Sequence, residues 1–282
     1  MKLRVKESTE LMTFLLNNTD YSKNKIKSLL KYQNILVNGK IVTKYNFMLS
    51  KNNTIEITNK RMPNIKNIEV LYEDDEFLVV NKKANLLTVS TDKEKNRTLF
   101  HQVYSYVKDL NKNNKVFIVH RLDKETSGIV LFAKNEKIKE LLQEKWNDLV
   151  TLRQYQAIVS GCPLKKEGEI KIYLTDNKEN IVYKTNNREL GKLAITKYKT
   201  IKTNDNYSLL NIEILTGRKN KIRVSMLELD TPIVGDKKYK SKEDPCKRLM
   251  LHATKLEFIH PISKKKYKFE SPVPKEFNQL MK

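Results

Sequence analysis

The sequence predicts an α+β protein with a mixed, largely antiparallel sheet and flanking helices, preceded by a small N-terminal α/β module. Short β-rich segments recur from Ile68 onward with helical segments between them. An Asn-Gly turn joins two apolar β-segments nearer the N-terminus, and a polar stretch with a proline separates the two parts. We therefore expect residues 1–60 to form one domain, residues 61–67 a linker and residues 68–282 a larger domain.

Composition narrows the classes of function. The chain has 282 residues, with 55 Lys or Arg against 33 Asp or Glu, and a formal charge of +22. Such an excess favours a polyanionic partner such as RNA, although a lysine-rich composition gives the same excess in a protein of any function. Two isolated cysteines exclude a disulfide scaffold and a four-cysteine zinc site. No apolar run is long enough for a membrane helix and no secretory signal is evident, so we expect a cytoplasmic protein without a membrane partner.

The first 60 residues are predicted to run strand, helix, helix, hairpin. Apolar side chains recur at helical spacing over Leu11–Leu15, and Ser22 is placed to cap a second helix. Asn38-Gly39, between apolar β-formers, is a strong signal for a two-residue hairpin turn. One face of the second helix carries a row of lysines at every fourth residue: Lys23, Lys27 and Lys31.

This order of elements resembles the S-four-type RNA-binding domain. The resemblance covers about residues 12–58 and centres on the segment SKNKIKSLLKYQNILVNGKIV. It implies that the lysine row beside the hairpin follows RNA phosphates. The alternative is a solvated helix face in a lysine-rich protein.

The second part reads as strands interrupted by helices. Ile129–Ala133 is a continuous apolar run, which is typical of a strand covered on both faces. Asn135 is placed to cap a helix that carries apolar residues as far as Trp146. The other predicted elements are strands at 68–72 and 77–80 around an acidic turn, a helix near 99–108 and an alternating strand over 153–159.

Glycine is scarce, and its positions mark the densest polar clusters. The chain has seven glycines, where average usage of about 7% would give roughly twenty. Four of them stand beside HRLDKETSG (120–128), RQYQAIVSG (153–161), LTGRKNKIR (215–223) and TPIVGDKKY (231–239). A chain that avoids glycine uses it where the backbone demands it, so these segments are candidates for a functional site.

HRLDKETSG closely resembles the catalytic signature of RluA-type pseudouridine synthases, enzymes that isomerise uridines in ribosomal and sometimes transfer RNA. Five further segments resemble family motifs and occur in the family's order: FLVVNKKANLL (77–87), RQYQAIVSG, LTGRKNKIR, TPIVGDKKY and RLMLHATKLEFIHP (248–261). The resemblance spans roughly residues 68–275. It implies the pseudouridine synthase fold and a reaction that needs neither a cofactor nor a metal. In this reaction the bond between the ribose and a nitrogen of the uracil breaks, and the ribose is joined to a carbon of the same base. No redox change takes place.

The resemblance also assigns roles to individual residues. Asp123 is the catalytic carboxylate, Arg223 the arginine that pairs with it, and Tyr155 the active-site tyrosine that stacks on uracil and can donate a proton. Leu251 supplies an apolar wall. Arg121 fills the space that the target base vacates when it leaves its stack.

Each of these residues also has a structural interpretation. Asp123 could cap a loop before the Thr-Ser-Gly turn, and Tyr155 could be a half-buried strand tyrosine. The basic segment 218–223 could be a solvated helix, but we expect Arg218 and Lys221 to contact RNA phosphates. The remaining polar candidates are histidines without metal-ligand spacing, for which structural hydrogen bonds are expected: His120, His252 and His260.

The sequence departs from the family at a few positions. The family usually has Pro and Gly where Lys83 and Asn85 stand, and His-Gln where Asn220-Lys221 stand. We expect a monomeric synthase acting on 23S large-subunit ribosomal RNA. Transfer RNA is an alternative substrate, and a non-catalytic RNA-binding factor on the same fold is an alternative function. A glycoside hydrolase would need two opposed carboxylates, and Glu125 has no evident role as the second.

Overall fold

The computed structural model describes residues 1–31, 34–58, 68–92, 94, 96–179, 181–239 and 241–282, with the backbone alone at 24, 28 and 31. The chain divides into two compact units. The first comprises Met1–Val70 with Tyr104–Lys115, and the second comprises Leu71–Val103 with Val116–Lys282. The expected linker 61–67 lies outside the described residues, so the domain boundaries stay a prediction.

The first unit contains the helix–helix–hairpin order that the sequence predicts. Its elements are β1 (Lys2–Arg4), β2 (Thr9–Glu10), α1 (Leu11–Asn18), α2 (Lys23–Lys31), β3 (Ile35–Val37), β4 (Lys40–Ile41), β5 (Met48–Leu49) and β6 (Thr54–Ile57). Ser22 caps α2, since its Oγ accepts a hydrogen bond from Lys25 N over 3.2 Å. Asn38 and Gly39 both have positive φ, 49° and 77°, as a two-residue hairpin turn of this kind requires.

An apolar core holds these elements together. Leu11 and Leu15 of α1 and Ile26 of α2 are completely buried, as is Ile35 of the hairpin. The described strands β1, β6, β3 and β4 form an antiparallel sheet in that order. The helical spacing of apolar residues in the sequence therefore corresponds to the buried faces of both helices.

The remaining elements belong mostly to the second unit. They are β7 (Glu69–Glu73), β8 (Phe77–Lys82), α3 (Leu99–Leu110), β9 (Phe117–Ile118), β10 (Ser127–Ala133), α4 (Glu136–Glu144), α5 (Trp146–Leu149), β11 (Val150–Ser160), β12 (Glu167–Asp176), β13 (Val182–Thr185), β14 (Lys192–Thr203), β15 (Tyr207–Ile214), α6 (Lys221–Glu228), β16 (Leu251–Ile259), β17 (Lys266–Glu270) and α7 (Lys275–Leu280). Among the described residues, no helix is long and apolar enough to cross a membrane.

The described strands of this part form one large sheet in the order β13-β12-β14-β15-β11-β16-β10-β8-β7, with β17 beside β16 and β9 beside β10. Strands β10 and β16 are parallel, and their other described pairings are antiparallel. The predicted fold class, α+β with a mixed and largely antiparallel sheet, is confirmed. All seven residues of β10 are buried, as its apolar sequence predicts.

One predicted helix is shorter than expected. Asn135 caps α4, with its Oδ1 accepting from Ile138 N over 3.3 Å, as predicted. However, α4 ends at Glu144, and Trp146 begins the separate short helix α5. Lys145 between them has non-helical dihedral angles, φ −104° and ψ 29°, which turn the chain. The periodicity of apolar residues continues across this break and does not reveal it.

Gly128 is required by the close approach of β10 and β16. Its φ is +116°, and a Cβ at this position would lie 2.3 Å from Ala253 O. Gly128 pairs with Ala253 in the parallel register of the two strands. A larger residue would separate these strands, so the glycine at the end of HRLDKETSG fixes where the preceding loop meets β16.

Candidate active site

The second unit contains a cavity of about 580 Å³ that collects residues from separate parts of the sequence. Its lining includes all the residues that the sequence singles out in this unit as candidate site residues: Arg121, Asp123, Tyr155, Arg218, Lys221, Arg223 and Leu251. The first two come from the loop before β10, the tyrosine from β11, the next three from the segment around the start of α6, and the leucine from β16. The parallel pairing of β10 with β16 and the antiparallel pairing of β11 with β16 bring these segments together.

Polar side chains hold the loop that carries Asp123. Thr88 Oγ1 donates to Leu122 O over 2.7 Å. At the other end of the loop, Ser127 Oγ accepts from Arg248 Nη2 over 2.6 Å and lies 2.8 Å from His252 Nδ1. Because both ends are tied to the buried framework, the position of the carboxylate follows from the fold.

Lys82, which is not among the predicted site residues, supports the same loop from the protein interior. Its side chain is completely buried, and Nζ donates to the carbonyl oxygens of Lys83, Leu86 and Lys124 at 2.6–3.1 Å. Burial lowers the pKa of Lys82 to about 7, while the negative charges of Asp123 and Glu125 favour its charged form. Lysines are rarely buried, so composition gives no sign of this role.

Asp123 is half-buried in an environment of opposing charges. Burial raises the pKa of its carboxyl above the ordinary value, opposed mainly by the positive charge of Arg223. The carboxylate of Glu125 raises the pKa further, and the ammonium groups of Lys219 and Lys238 lower it. With its amide nitrogen assigned toward the carboxylate, Asn220 donates to Asp123, its Nδ2 lying 2.6 Å from Oδ2.

The expected direct pairing of Arg223 with Asp123 is not found. Arg223 is 4% exposed and makes two hydrogen bonds to Asp236, Nε to Oδ2 at 2.8 Å and Nη2 to Oδ1 at 2.6 Å. Its Nη1 contacts Glu125 Oε2 at 3.4 Å, and its guanidinium lies 5.1 Å from the ring centroid of Tyr239. The two carboxylates satisfy the buried guanidinium, so Arg223 influences Asp123 through its charge and not through a bond.

Tyr155 lies in the cavity beside a second residue of the same strand. Burial raises its pKa to about 12, so the hydroxyl is protonated at neutral pH and can act as a donor. Arg153, two residues earlier, also lines the cavity and donates from Nη2 to Leu215 O over 3.1 Å. Arg153 is not among the predicted site residues, although it lies only two residues before Tyr155 on β11 and lines the same cavity.

The segment 218–223 is not the solvated helix that its charges suggest. Helix α6 begins only at Lys221, whose side chain is 2% exposed. Its Nζ donates to Ile195 O over 3.0 Å, to Thr216 Oγ1 over 3.1 Å and to Thr216 O. Burial lowers the pKa of Lys221 to about 7. Contrary to expectation, its ammonium is held by protein oxygens instead of pointing outward toward RNA, whereas Arg218 is exposed.

The three histidines have the structural roles expected of them. His120 Nε2 accepts from Leu131 N over 3.2 Å, and its ring lies 5.2 Å from that of Trp146. His260 Nδ1 accepts from two backbone amides at 3.0 and 3.2 Å, and His252 contacts Ser127. Burial lowers the pKa of His120 and of His252 to about 4, so both are neutral at pH 7.

The remaining predicted residues lie as follows. Arg121 is solvent-exposed, and Leu251 is 3% exposed in the wall of the cavity. Asn85, where the family usually has glycine, has φ 63°, a left-handed conformation that asparagine tolerates better than most residues. In the first unit, Lys23 and Lys27 are exposed on α2, whereas the side chain of Lys31 lies outside what the structure describes.

Comparison with known proteins gives consistent matches. The family model described as RNA pseudouridylate synthase matches residues 76–228. An uncharacterised RNA pseudouridine synthase, MG209 of Mycoplasma genitalium, is 31% identical over 98% of this chain and 92% of its own length. Ribosomal large subunit pseudouridine synthase C of Rickettsia bellii is 32% identical over 90% of this chain and 91% of its own.

Among solved structures, human RNA pseudouridylate synthase domain containing 4 superposes with a TM-score of 0.62. It covers 74% of this chain and 90% of the human chain, at 21% sequence identity. At that identity the likeness concerns the fold alone, and it agrees with the mixed sheet described above.

Proposed function

Because the chain belongs to the RNA pseudouridylate synthase family, we propose that it isomerises specific uridines in structured RNA, with Asp123 as its catalytic carboxylate. It is an RluA-type pseudouridine synthase, an isomerase. The observation that carries the proposal is that Asp123, Tyr155 and Arg223 line one cavity. Its volume of about 580 Å³ lies within the range of roughly 300–1,000 Å³ that small-molecule sites occupy, so a nucleoside fits.

The reaction makes few demands on a site. The bond between ribose and a base nitrogen breaks, the uracil turns, and the ribose is rejoined through carbon, with no net gain or loss of atoms. One ionised and well-directed carboxylate can serve as nucleophile or base in this sequence, and no cofactor is required. Asp123 is suited to this role because the positive charges of Arg223, Lys219 and Lys238 oppose the burial that raises the pKa of its carboxyl.

Two neighbours would receive the base. Tyr155 keeps its proton at neutral pH, and burial raises its pKa further, to about 12. Its hydroxyl can therefore donate while its ring stacks on uracil. Leu251 forms an apolar wall of the same cavity.

The target uridine must leave its stack to enter the cavity, and Arg121 suits the vacated space. Its side chain is exposed and lines the cavity, and a planar guanidinium stacks on bases as well as binding phosphate. The exposed Arg218 is suited to contact the backbone phosphate next to the flipped nucleotide.

We assign 23S large-subunit ribosomal RNA as the substrate. The large-subunit names of relatives such as the Rickettsia synthase C and the Neisseria meningitidis synthase D support this choice. The first unit would act as an S-four-type RNA-binding module whose exposed Lys23 and Lys27 contact phosphates. The protein is proposed to work as a cytoplasmic monomer.

Mapping pseudouridines in total RNA tests the proposal. Cells lacking the protein should lose one or more sites in large-subunit ribosomal RNA, and these should return with the wild-type gene but not with Asp123→Asn. Loss confined to transfer RNA would overturn the choice of substrate. Full modification in cells carrying Asp123→Ala would overturn the catalytic role and favour a non-catalytic RNA-binding factor.

A further inference from the structure

Asn220 makes a short contact with the proposed catalytic carboxylate. Its side-chain amide is assigned with nitrogen toward Asp123, because the opposite assignment would put the amide oxygen against a carboxylate oxygen. In this orientation Nδ2 donates to Asp123 Oδ2 over 2.6 Å. The amide oxygen accepts from Tyr239 Oη at 3.0 Å and from Lys238 Nζ at 3.3 Å.

We propose that Asn220 is the positioning residue of Asp123, fixing the direction of the carboxylate and favouring its ionised form. This inference rests on the proposed function of Asp123. Two donors on its oxygen hold the Asn220 amide, so the amide nitrogen can point only toward the carboxylate. Tyr239 is itself 4% exposed, so packing holds its hydroxyl in place beside the amide oxygen.

The neighbouring arginine does not take this role. Arg223 is bound through two hydrogen bonds to Asp236 and contacts Glu125. A guanidinium with two carboxylate partners lowers the pKa of Asp123 through its charge but does not set the orientation of the Asp123 carboxylate. Direction requires a bonded donor, and the Asn220 amide supplies it.

The backbone at Asn220 restricts which residues can serve. Its dihedral angles, φ 51° and ψ 13°, are left-handed, and its side chain is 6% exposed directly before α6. Glycine, asparagine, aspartate and histidine tolerate this conformation best. Of these four residues, only asparagine and histidine carry a side-chain N–H donor.

The charges around the Asp123 carboxylate determine in which direction its pKa moves when the Asn220 donor is removed. The charged groups that act on Asp123 are Arg223, Glu125, Lys219, Lys238 and Lys82, and the neutral hydroxyl of Tyr155 lies in the same cavity. With these unchanged, removing a donor to the ionised form raises the pKa of Asp123. If catalysis needs the carboxylate ionised, the acid limb of the rate profile moves to higher pH.

Asn220→Gly and Asn220→Asp remove the amide donor without straining the backbone, because both glycine and aspartate accept the left-handed conformation. Their effects can therefore be attributed to loss of the amide. In the free protein, the carboxyl ¹³C titration of Asp123 should shift upward by about one pH unit in Asn220→Gly, a tenfold change in protonation. Asn220→Asp should shift it further, since two carboxylates then face each other. Asn220→His should recover part of the shift, and Tyr239→Phe should show a smaller shift in the same direction.

Activity on a transcript carrying the mapped uridine supplies the second measurement. We expect Asn220→Gly to lower kcat at neutral pH by about tenfold with KM little changed, and to move the acid limb upward with the titration. An unchanged titration and acid limb in Asn220→Gly, with a normal melting curve, would overturn the inference. The titration needs no substrate, so failure of the proposed function would appear separately, as Asp123→Asn retaining activity.

Discussion

The candidate active site and the first unit use positive charge in opposite ways. In the cavity, Lys221 and Arg223 are 2% and 4% exposed, and protein oxygens hold both. In the first unit, Lys23 and Lys27 are exposed on one helix. Buried charges lose their hydration and must be compensated by fixed partners, whereas exposed charges keep their water and remain available to phosphates.

The difference shows how little the net charge of +22 says about individual residues. Within the segment 218–223 alone, Arg218 is exposed while Arg223 is part of a buried ion pair. Burial therefore separates lysines and arginines that build the site from those that can contact RNA. The following predictions test how buried and exposed polar groups differ in their effect.

The largest effect is expected from Asp236→Asn. This change removes the buried negative charge and one of the two acceptor oxygens that face Arg223, and the 3.4 Å contact to Glu125 is the ion pair that remains. Breaking a buried ion pair in this way costs about 3–5 kcal/mol in the free energy of unfolding. Urea unfolding at pH 7 measures the loss.

An exposed pair provides the control. Lys255 and Glu270 lie 2.7 Å apart with side chains 40% and 71% exposed, and Glu270→Gln should change the free energy of unfolding by less than about 1 kcal/mol. Equal effects of the two substitutions would contradict the contrast between buried and exposed charge.

The pH dependence of stability should come from buried groups. Burial holds the pKa of His120 and of His252 at about 4 in the folded state, against about 6.5 when unfolded. Between these values the unfolded chain binds more protons, so this contribution is complete above pH 6.5 and is lost as pH falls toward 4. Each histidine adds a slope of up to about 1.4 kcal/mol per pH unit.

Urea unfolding from pH 7 to pH 4.5 would measure this slope in the wild type and in His120→Gln. Glutamine retains an acceptor for Leu131 N but does not titrate. The slope of the free energy of unfolding against pH should therefore decrease by the contribution of one histidine. If the two proteins lost stability equally on acidification, the neutral, buried state assigned to His120 would be wrong.

Much of the fold could be predicted because its signals are local. The Ser22 and Asn135 caps, the Asn38-Gly39 turn and the buried strand at 129–133 depend on neighbouring residues, and the structure confirms all four. The end of α4 could not be predicted, since the apolar spacing continues to Trp146 beyond the break at Lys145.

The site divides in the same way. Motifs identify residues that line one cavity, but they do not identify which side chains bond to which. Asp236 as the partner of Arg223 and Asn220 as the donor to Asp123 depend on contacts between distant segments. The burial of Lys221 runs against the usual exposure of lysine, so no sequence pattern predicts it.

Arg121→Ala should have an intermediate effect that depends on the RNA. If the guanidinium replaces a flipped base, its loss removes stacking worth about 1–3 kcal/mol, or roughly 5- to 150-fold in kcat/KM, on a structured transcript. A substrate with the target uridine already unstacked in a bulge should lose much less. Single-turnover assays on both RNAs provide the comparison, and equal losses would exclude a role in base flipping.

The smallest effect on the folded protein is expected from Lys23→Glu combined with Lys27→Glu. Both side chains are exposed, so the free energy of unfolding should change by less than about 0.5 kcal/mol for each substitution. RNA binding should weaken, and the slope of log affinity against log salt should fall in magnitude by about 1–2 because two phosphate contacts are lost.

The matched control is Lys165→Glu with Lys166→Glu, which changes the net charge equally at exposed positions of the second unit. If both pairs reduced the slope alike, the effect would belong to total charge, and the lysine row of α2 would have no special part in binding RNA.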